Sequence, residues 1–254
     1  MLRLVLLLFV LASSTGCSLP SLRPVAGQVE LVATFPHDPE AYTQGLHAEG
    51  GRLWESTGLY GQSTVRAVDL ASGTVLRKHA LPASVFGEGL TRLDDVLWVL
   101  TWREQTAYAL DPGTFTVLAT NRYDGEGWGL TSDGTHLIKS DGTSRLTWID
   151  PATFRTTRTL PVTENGTPLQ NLNELEWVRG AIYANIYLED RIVRINPRNG
   201  QVTASFDLRG LRALLTGQHR AEVLNGIAWN EQSGTFYLTG KWWPRLFEVR
   251  LLAP

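Results

Sequence analysis

One cysteine and one methionine in 254 residues set the first limits on this chain. With Cys17 alone, no intrachain disulfide can staple the fold, so packing must hold it together. Charge of one sign is also missing: 23 lysines and arginines stand against 25 aspartates and glutamates, with no basic run and no arginine stripe. That balance provides no field for drawing in nucleic acid, which is excluded as an expected partner. The one long hydrophobic run, in "MLRLVLLLFVLASSTGC", is too short to span a membrane as a helix and has the length of a signal-peptide core.

What is present points to sheets. Nine tryptophans accompany a hydrophobic fraction of 43 %, an aromatic-rich balance that suits strands and is enough for one large all-β domain or two small ones. Residues 1–17 read as an export signal, and Cys17 follows small residues at its end, which resembles a bacterial lipoprotein signal whose cysteine becomes the lipidated N-terminus. Ser14 stands where such signals usually carry leucine. Residues 18–27, with Pro20, Pro24 and Gly27, read as a tether, and 28–254 as the folded domain. The expected location is the periplasmic face of a bacterial membrane, reached only through that lipid anchor.

A repeat runs the length of the domain. A three-residue signature recurs as "QGL" at 44, "EGL" at 88, "WGL" at 128, "NEL" at 173 and "NGI" at 225, at spacings of 44, 40, 45 and 52. Each signature precedes a polar turn and a strand, and then two alternating strands around a turn such as "LDPGTF" or "INPRNG". Four strands per repeat of about 40–45 residues is the arithmetic of a β-propeller blade, so five blades are expected. The fifth repeat lacks its last strand, while "GQVELVATFP" near the N-terminus matches the strand endings of the other repeats. The N-terminal strand is therefore expected to complete the last blade and close the ring. The long fifth spacing comes from residues 209–223, where apolar residues near helical spacing predict a short helix over one face.

Equivalent positions of successive blades lie on rings around the axis, and a position that varies while its neighbours repeat carries chemical information. One such ring opens the signature: Gln44, Glu88, Trp128, Asn173 and Asn225. A second lies 14 residues on, at Gly58, Trp102, Gly142 and Tyr187, with Lys241 at an offset of 16. This second ring is expected at the far end of the innermost strand or in its following turn. A purely structural position would favour one small or apolar residue type in all five blades. These rings collect a carboxylate, amides, an ammonium and aromatics, and both are expected to face the axial mouth. Trp54, Trp98, Trp148 and Trp229 fall elsewhere in the repeat and read as structural.

At this point the motifs are recognisable. "FPHDPEAYTQGL", "FGEGL", "LTW", "GEGWGL", "LNELEW", "LNGIAW" and "LTGKWWP", in order at blade spacing, resemble the plant-type glutaminyl-peptide cyclotransferase family from about residue 28 onward. The resemblance implies a five-bladed propeller without catalytic zinc, and no cluster of His and carboxylates stands at zinc-ligand spacing in the sequence. It also implies an active site at Gln44, Glu88, Trp102, Trp128, Asn173 and Lys241. Tyr187 departs from the tryptophan usual in that family, keeping an aromatic wall but changing its donor and the pocket width.

The implied reaction closes an N-terminal glutaminyl residue on itself: the α-amine attacks the γ-carboxamide carbon, ammonia leaves and pyroglutamate remains. Ring closure is intramolecular, so little is left to gain from bringing reactants together, and proton handling and charge stabilisation become the catalytic task. The expected assignment makes Glu88 the proton shuttle, with Lys241, Asn173 and an indole N–H stabilising the γ-oxygen. Gln44, Trp102, Trp128, Tyr187 and Asn225 are expected to bind substrate. No cofactor is expected for catalysis and no metal is assigned, with a structural calcium left open. Expected partners are peptides or proteins with N-terminal Gln, met by a monomer. Two other readings stand beside this one. Glu88, Asn173 and Asn225 converge as oxygen donors, as in a calcium-dependent lactonase or esterase propeller, and many propellers only bind partners.

Overall fold

The computed structural model describes residues 23–253 apart from 216, 218 and 219, so the signal segment and Cys17 lie outside the described residues. Among the described residues the first strand starts at Val25, inside the stretch read as a tether.

The chain is all-β with a single short helix among the described residues. After β1 (Val25–Pro36), four strands, β2 (Thr43–Glu49), β3 (Arg52–Thr57), β4 (Thr64–Asp69) and β5 (Val75–Ala80), form an antiparallel sheet in sequence order. The next sheet takes β6 (Gly87–Leu93), β7 (Val96–Thr101), β8 (Thr106–Leu110) and β9 (Val117–Arg122). A third takes β10 (Leu130–Ser132), β11 (Leu137–Lys139), β12 (Arg145–Ile149) and β13 (Thr156–Pro161). A small hairpin of β14 (Thr163–Glu164) and β15 (Thr167–Pro168) follows. Then come β16 (Leu172–Val178), β17 (Ala181–Ile186), β18 (Arg191–Ile195), β19 (Val202–Asp207), helix α1 (Arg209–Ala213), β20 (Leu224–Asn230), β21 (Thr235–Gly240) and β22 (Arg245–Leu252).

These last strands join into one eight-stranded sheet in the order β16-β17-β18-β19-β1-β22-β21-β20. The N-terminal strand does pair with the last one: β1 runs antiparallel to β22 from Gln28↔Leu252 to Pro36↔Arg245. It also does something the repeat did not predict. Val25 to Gly27 pair in parallel with Ala204 to Phe206 of β19, so one strand links two four-stranded sets.

Burial follows strand position within each sheet. The second strands are buried on both faces, as in "VLWVLT" of β7, where all but the first residue are buried. The fourth strands β5 and β9 face water and carry Arg77, Lys78 and Arg122, which blunt the exposed edge against pairing with other chains. Among the described residues, five hydrophobic clusters lie between neighbouring sets. Leu90, Leu97 and Val99 pack with Trp54, Val65 and Ala67 between the first two sheets. At the other extreme, Leu46, Leu53 and Val68 pack with Ala228, Tyr237 and Leu246, joining the fifth set back to the first. The first strands contact one another in a cycle: β2 meets β6, β6 meets β10, β10 meets β16, β16 meets β20, and β20 returns to β2.

The helix expected over residues 209–223 is limited to the five residues of α1, which has no side-chain N-cap. Leu211 and Leu215 nevertheless bury against Leu208 and Trp243, so the segment is anchored by its apolar positions without continuing as a helix.

Candidate active site

The opening residues of the signature are aimed by irregularities in the ladder. Pairing register breaks between Thr43 and Gly45, between Gly87 and Leu90, between Leu172 and Leu175, and between Leu224 and Ile227. Gln44, Glu88, Asn173 and Asn225 sit inside those breaks, where an extra residue re-aims a side chain out of the regular alternation. Trp128 precedes β10, and its backbone is held by Trp128 N–H to Ser140 O at 3.1 Å and Gly89 N–H to Trp128 O at 2.6 Å.

The middle glycine of the signature has a steric reason. A Cβ on Gly89 would lie 2.4 Å from the backbone N of Leu130, so only glycine lets adjacent first strands abut there. In the fourth repeat that place is taken by Glu174, whose carboxylate reaches across to accept Leu46 N–H at 3.2 Å and Ile227 N–H at 2.8 Å. Burial, with Glu176 nearby, raises the Glu174 carboxyl well above its ordinary value despite those two donors.

The second ring lies just after the second strand of each set, not at the end of the innermost one. The innermost strands are the signature strands themselves, and the antiparallel hairpin returns the chain to the same mouth. The two glycines of this ring are sockets: a Cβ at Gly58 would fall 2.3 Å from the Phe86 ring, and one at Gly142 would fall 2.7 Å from the Trp128 ring. Gly58 thus seats an aromatic of the neighbouring set, and Gly142 one of its own.

Gln44, Glu88, Trp102, Trp128, Asn173, Tyr187 and Lys241 all line one cavity of about 240 Å³. Tyr42 and Phe86 complete the wall and were not foreseen. Both stand two residues before the signature, just ahead of the strand that carries it. In the third repeat that position holds Glu126. Asn225 is corrected: it is fully buried and does not line the cavity. It accepts from Asn173 Nδ2 at 2.8 Å and donates from its own Nδ2 to Thr43 O at 3.0 Å and to Gln44 Oε1 at 3.3 Å. Gln44 Nε2 then donates to Glu88 Oε1 at 3.2 Å, completing a relay of amides that ends on the carboxyl.

The cavity holds two buried charge-bearing groups. Burial raises the Glu88 carboxyl well above the ordinary 4.5, opposed by Lys241 and reinforced by Glu126 and Glu104. Burial lowers the Lys241 ammonium below 10.5, against the pull of Glu88 and Glu222. Its Nζ lies 4.6 Å from the Tyr42 ring centre and 5.4 Å from that of Tyr187. Among the described residues it has no hydrogen-bond partner, so its N–H groups are available to a ligand. Its loop is fixed from behind: Trp242 N–H donates to Ala41 O at 2.7 Å, and His37 Nδ1 lies 2.6 Å from Trp243 O. His37 Nε2 and Arg66 Nη2 both reach the buried Glu55 carboxylate, at 3.1 and 2.5 Å.

The aromatic wall is a chain of edge-to-face contacts. Trp242 meets Tyr42, Tyr42 meets Phe86 and Phe86 meets Trp102, at centroid distances of 4.8, 6.1 and 5.6 Å, and Trp128 meets Tyr187 at 5.4 Å. The expected indole donor is corrected here. Trp102 Nε1 donates to Glu126 Oε2 at 2.7 Å and Trp128 Nε1 donates to the same oxygen at 3.0 Å, so neither faces the cavity as a free donor. Trp54, Trp98, Trp148 and Trp229 lie outside this wall. Among the described residues, no group of three or more His, Cys, Asp and Glu is arranged to hold a metal ion.

The family model described as glutamine cyclotransferase matches residues 4–251. The glutaminyl-peptide cyclotransferase of Arabidopsis thaliana is 42 % identical over 242 residues, covering 94 % of this chain and 75 % of that protein. The crystal structure of Myxococcus xanthus glutaminyl cyclase superposes with a TM-score of 0.85 at 37 % identity, covering 91 % of this chain and 99 % of that one. The chain thus belongs to the glutamine cyclotransferase family.

Proposed function

We propose that this protein is a glutaminyl-peptide cyclotransferase, an acyltransferase that converts the N-terminal glutaminyl residue of a peptide to pyroglutamate with release of ammonia. The observation that carries the reading is the meeting of a buried Glu88 carboxyl and a buried Lys241 ammonium in one aromatic-walled cavity sized for a single side chain. The kinship reported above points the same way.

The chemistry distributes over these residues. An α-amine with an ordinary pKa near ~8 is mostly protonated at neutral pH and must lose a proton before it can attack. Glu88 accepts the proton lost by the attacking nitrogen and returns it to the leaving amide nitrogen, which departs as ammonia as the new C–N bond closes the lactam. A carboxyl raised by burial suits that double duty, because its proton affinity approaches that of its partners at working pH. Lys241 and Asn173 face the oxygen on which charge develops, and fixed donors of this kind are worth roughly 2–4 kcal/mol each. Gln44 orients the carboxyl and the substrate amine. Tyr42, Phe86, Trp102, Trp128 and Tyr187 enclose the side chain and keep water out. Asn225 acts at one remove, by fixing the amides of Asn173 and Gln44.

The finer architecture is also part of this reading. The five inter-sheet cores and the closed cycle of first strands support a five-bladed propeller in which β1 completes the last blade. Residues 1–17 act as an export signal, Cys17 carries the lipid anchor, and the enzyme works as a monomer without a catalytic metal.

The test is ammonia release together with loss of one ammonia from the mass of a Gln-initiated peptide, run with and without EDTA. Chelator-resistant turnover supports the reading. Turnover abolished by EDTA and restored by calcium would favour the metal-dependent alternative, and ligand binding without product would favour the binding scaffold.

A further inference from the structure

The aromatic wall has a joint that is not aromatic. Between Trp102 and Trp128 the connection is made by Glu126, one of whose oxygens takes both indole N–H groups, at 2.7 and 3.0 Å. Its other oxygen accepts Arg103 Nε at 3.1 Å, and the Arg103 guanidinium lies 3.8 Å from the Trp102 ring centre. Glu126 is held in turn by its backbone. The buried Lys139 donates its Nζ to the Glu126 carbonyl at 2.5 Å, and buried lysines are uncommon unless paired.

We propose that Glu126 is a positioning residue for the cyclisation, acting through Trp102 and Trp128: it fixes the facing of both indoles, and thereby the width of the slot that grips the glutaminyl side chain. The inference rests on the cyclotransferase reading above. An ordinary rim ion pair such as Arg103–Glu126 contributes little by itself. One carboxylate oxygen shared by two indole donors is different, because charge-assisted bonds of this kind hold both rings in one orientation. They also silence the indoles as polar groups, leaving recognition of the substrate amide to Lys241, Asn173 and Gln44. Burial holds the Glu126 carboxyl up, but donation from Trp128, Trp102 and Arg103 outweighs it and keeps the group ionised. Its charge then adds to that of Glu104 in raising the Glu88 carboxyl, against Lys241.

The experiment is steady-state kinetics on a Gln-initiated peptide for the wild type, Glu126→Ala, Glu126→Gln, Glu126→Asp, Trp102→Phe and the Glu126→Ala/Trp102→Phe double variant. Glu126→Ala is expected to lower kcat/KM about tenfold or more through a loosened slot. Trp102→Phe, which keeps a ring but loses the N–H, is expected to cost less in the Glu126→Ala background than in the wild type, since both remove one interaction. Glu126→Gln is expected to move the acid limb of the pH profile to lower pH, and Glu126→Asp to leave it in place. Unchanged kcat/KM in Glu126→Ala, or additive losses in the double variant, overturns the proposal. Should Glu126→Ala not fold, wild-type kinetics in both Trp102→Phe and Trp128→Phe overturn it equally. Absence of wild-type turnover would sink the cyclotransferase reading itself, whereas wild-type turnover with an indifferent Glu126 sinks only this one.

Discussion

Gln44 Nε2 donates to Glu88 Oε1 at 3.2 Å, although the two side chains come from different sheets and each projects from its own bulge. The bulged backbone at Glu88 is pinned by Ser56 Oγ–H, which donates to Glu88 O at 2.5 Å. Glu88→Gln keeps the shape and loses the proton shuttle. Turnover is expected to fall about 100-fold or more with the melting temperature preserved. Near-normal turnover in a folded variant would remove Glu88 from its role.

The raised Glu88 carboxyl has a direct spectroscopic consequence. An infrared difference spectrum of wild type minus Glu88→Gln should show a protonated carboxyl band persisting well above pH 4.5, because Glu174 and Glu176 cancel in the difference. The sign for catalysis follows: a base must be ionised, so activity is lost as pH falls through that raised value. A band already gone at pH 4.5 would contradict the burial effect.

Asn225 does not line the cavity, yet its loss should be felt. Asn225→Ala leaves Asn173 Nδ2 and Gln44 Oε1 without their buried partner, which costs about 1–3 kcal/mol of stability. Turnover is expected to drop with it, as two amides lose their fixed aim. Denaturant melts and kinetics on the same preparation check both, and a variant unchanged in each would dismiss the relay.

Tyr187 stands edge-on to Trp128 and 5.4 Å from the Lys241 ammonium. Tyr187→Trp keeps both relationships and is expected to hold kcat/KM within about threefold. Tyr187→Ala removes the ring under the cation and should cost about tenfold, the scale of a desolvated cation–π contact plus lost enclosure. Equal kinetics for the alanine variant would show that this wall is not used.

Glu176 gives a stability prediction away from the active site. Burial raises its carboxyl to about 8, opposed by donation from Trp229 N–H and Thr131. A group raised in the folded state stabilises at pH below its unfolded value and loses that contribution as pH climbs through its folded value. The melting temperature is therefore expected to fall from about pH 4.5 to pH 8, and Glu176→Gln to flatten that slope. A wild-type melting temperature that stays level across the window would refute the assignment.

Much of the site was legible in the sequence because the repeat places equivalent residues at equivalent heights. Gln44, Glu88, Trp128 and Asn173 could be found by asking which position varies while its neighbours hold. The bulges could not be read, since a register break leaves the residue pattern nearly intact, and the pattern of one set does not say which of its strands lies innermost. Tyr42 and Phe86 stand two residues upstream of their signatures, but the other repeats carry Glu126, Asn171 and Val223 there, so no aromatic pattern shows. Asn225 shares a ring position with the lining residues, yet a hydrogen bond to Asn173 turns it inward, and only coordinates distinguish a wall residue from the one behind it. The parallel pairing of Val25–Gly27 with β19 joins segments far apart in sequence, which local pattern does not encode.

That double pairing makes β1 a clasp between two four-stranded sets. Its removal would bare two backbone edges at once, one on β19 and one on β22, and both are templates for a foreign strand. A strand far in sequence from Lys241 thus guards the molecule against its own copies, and a chain nicked before Pro36 is expected to be lost to association sooner than to loss of chemistry.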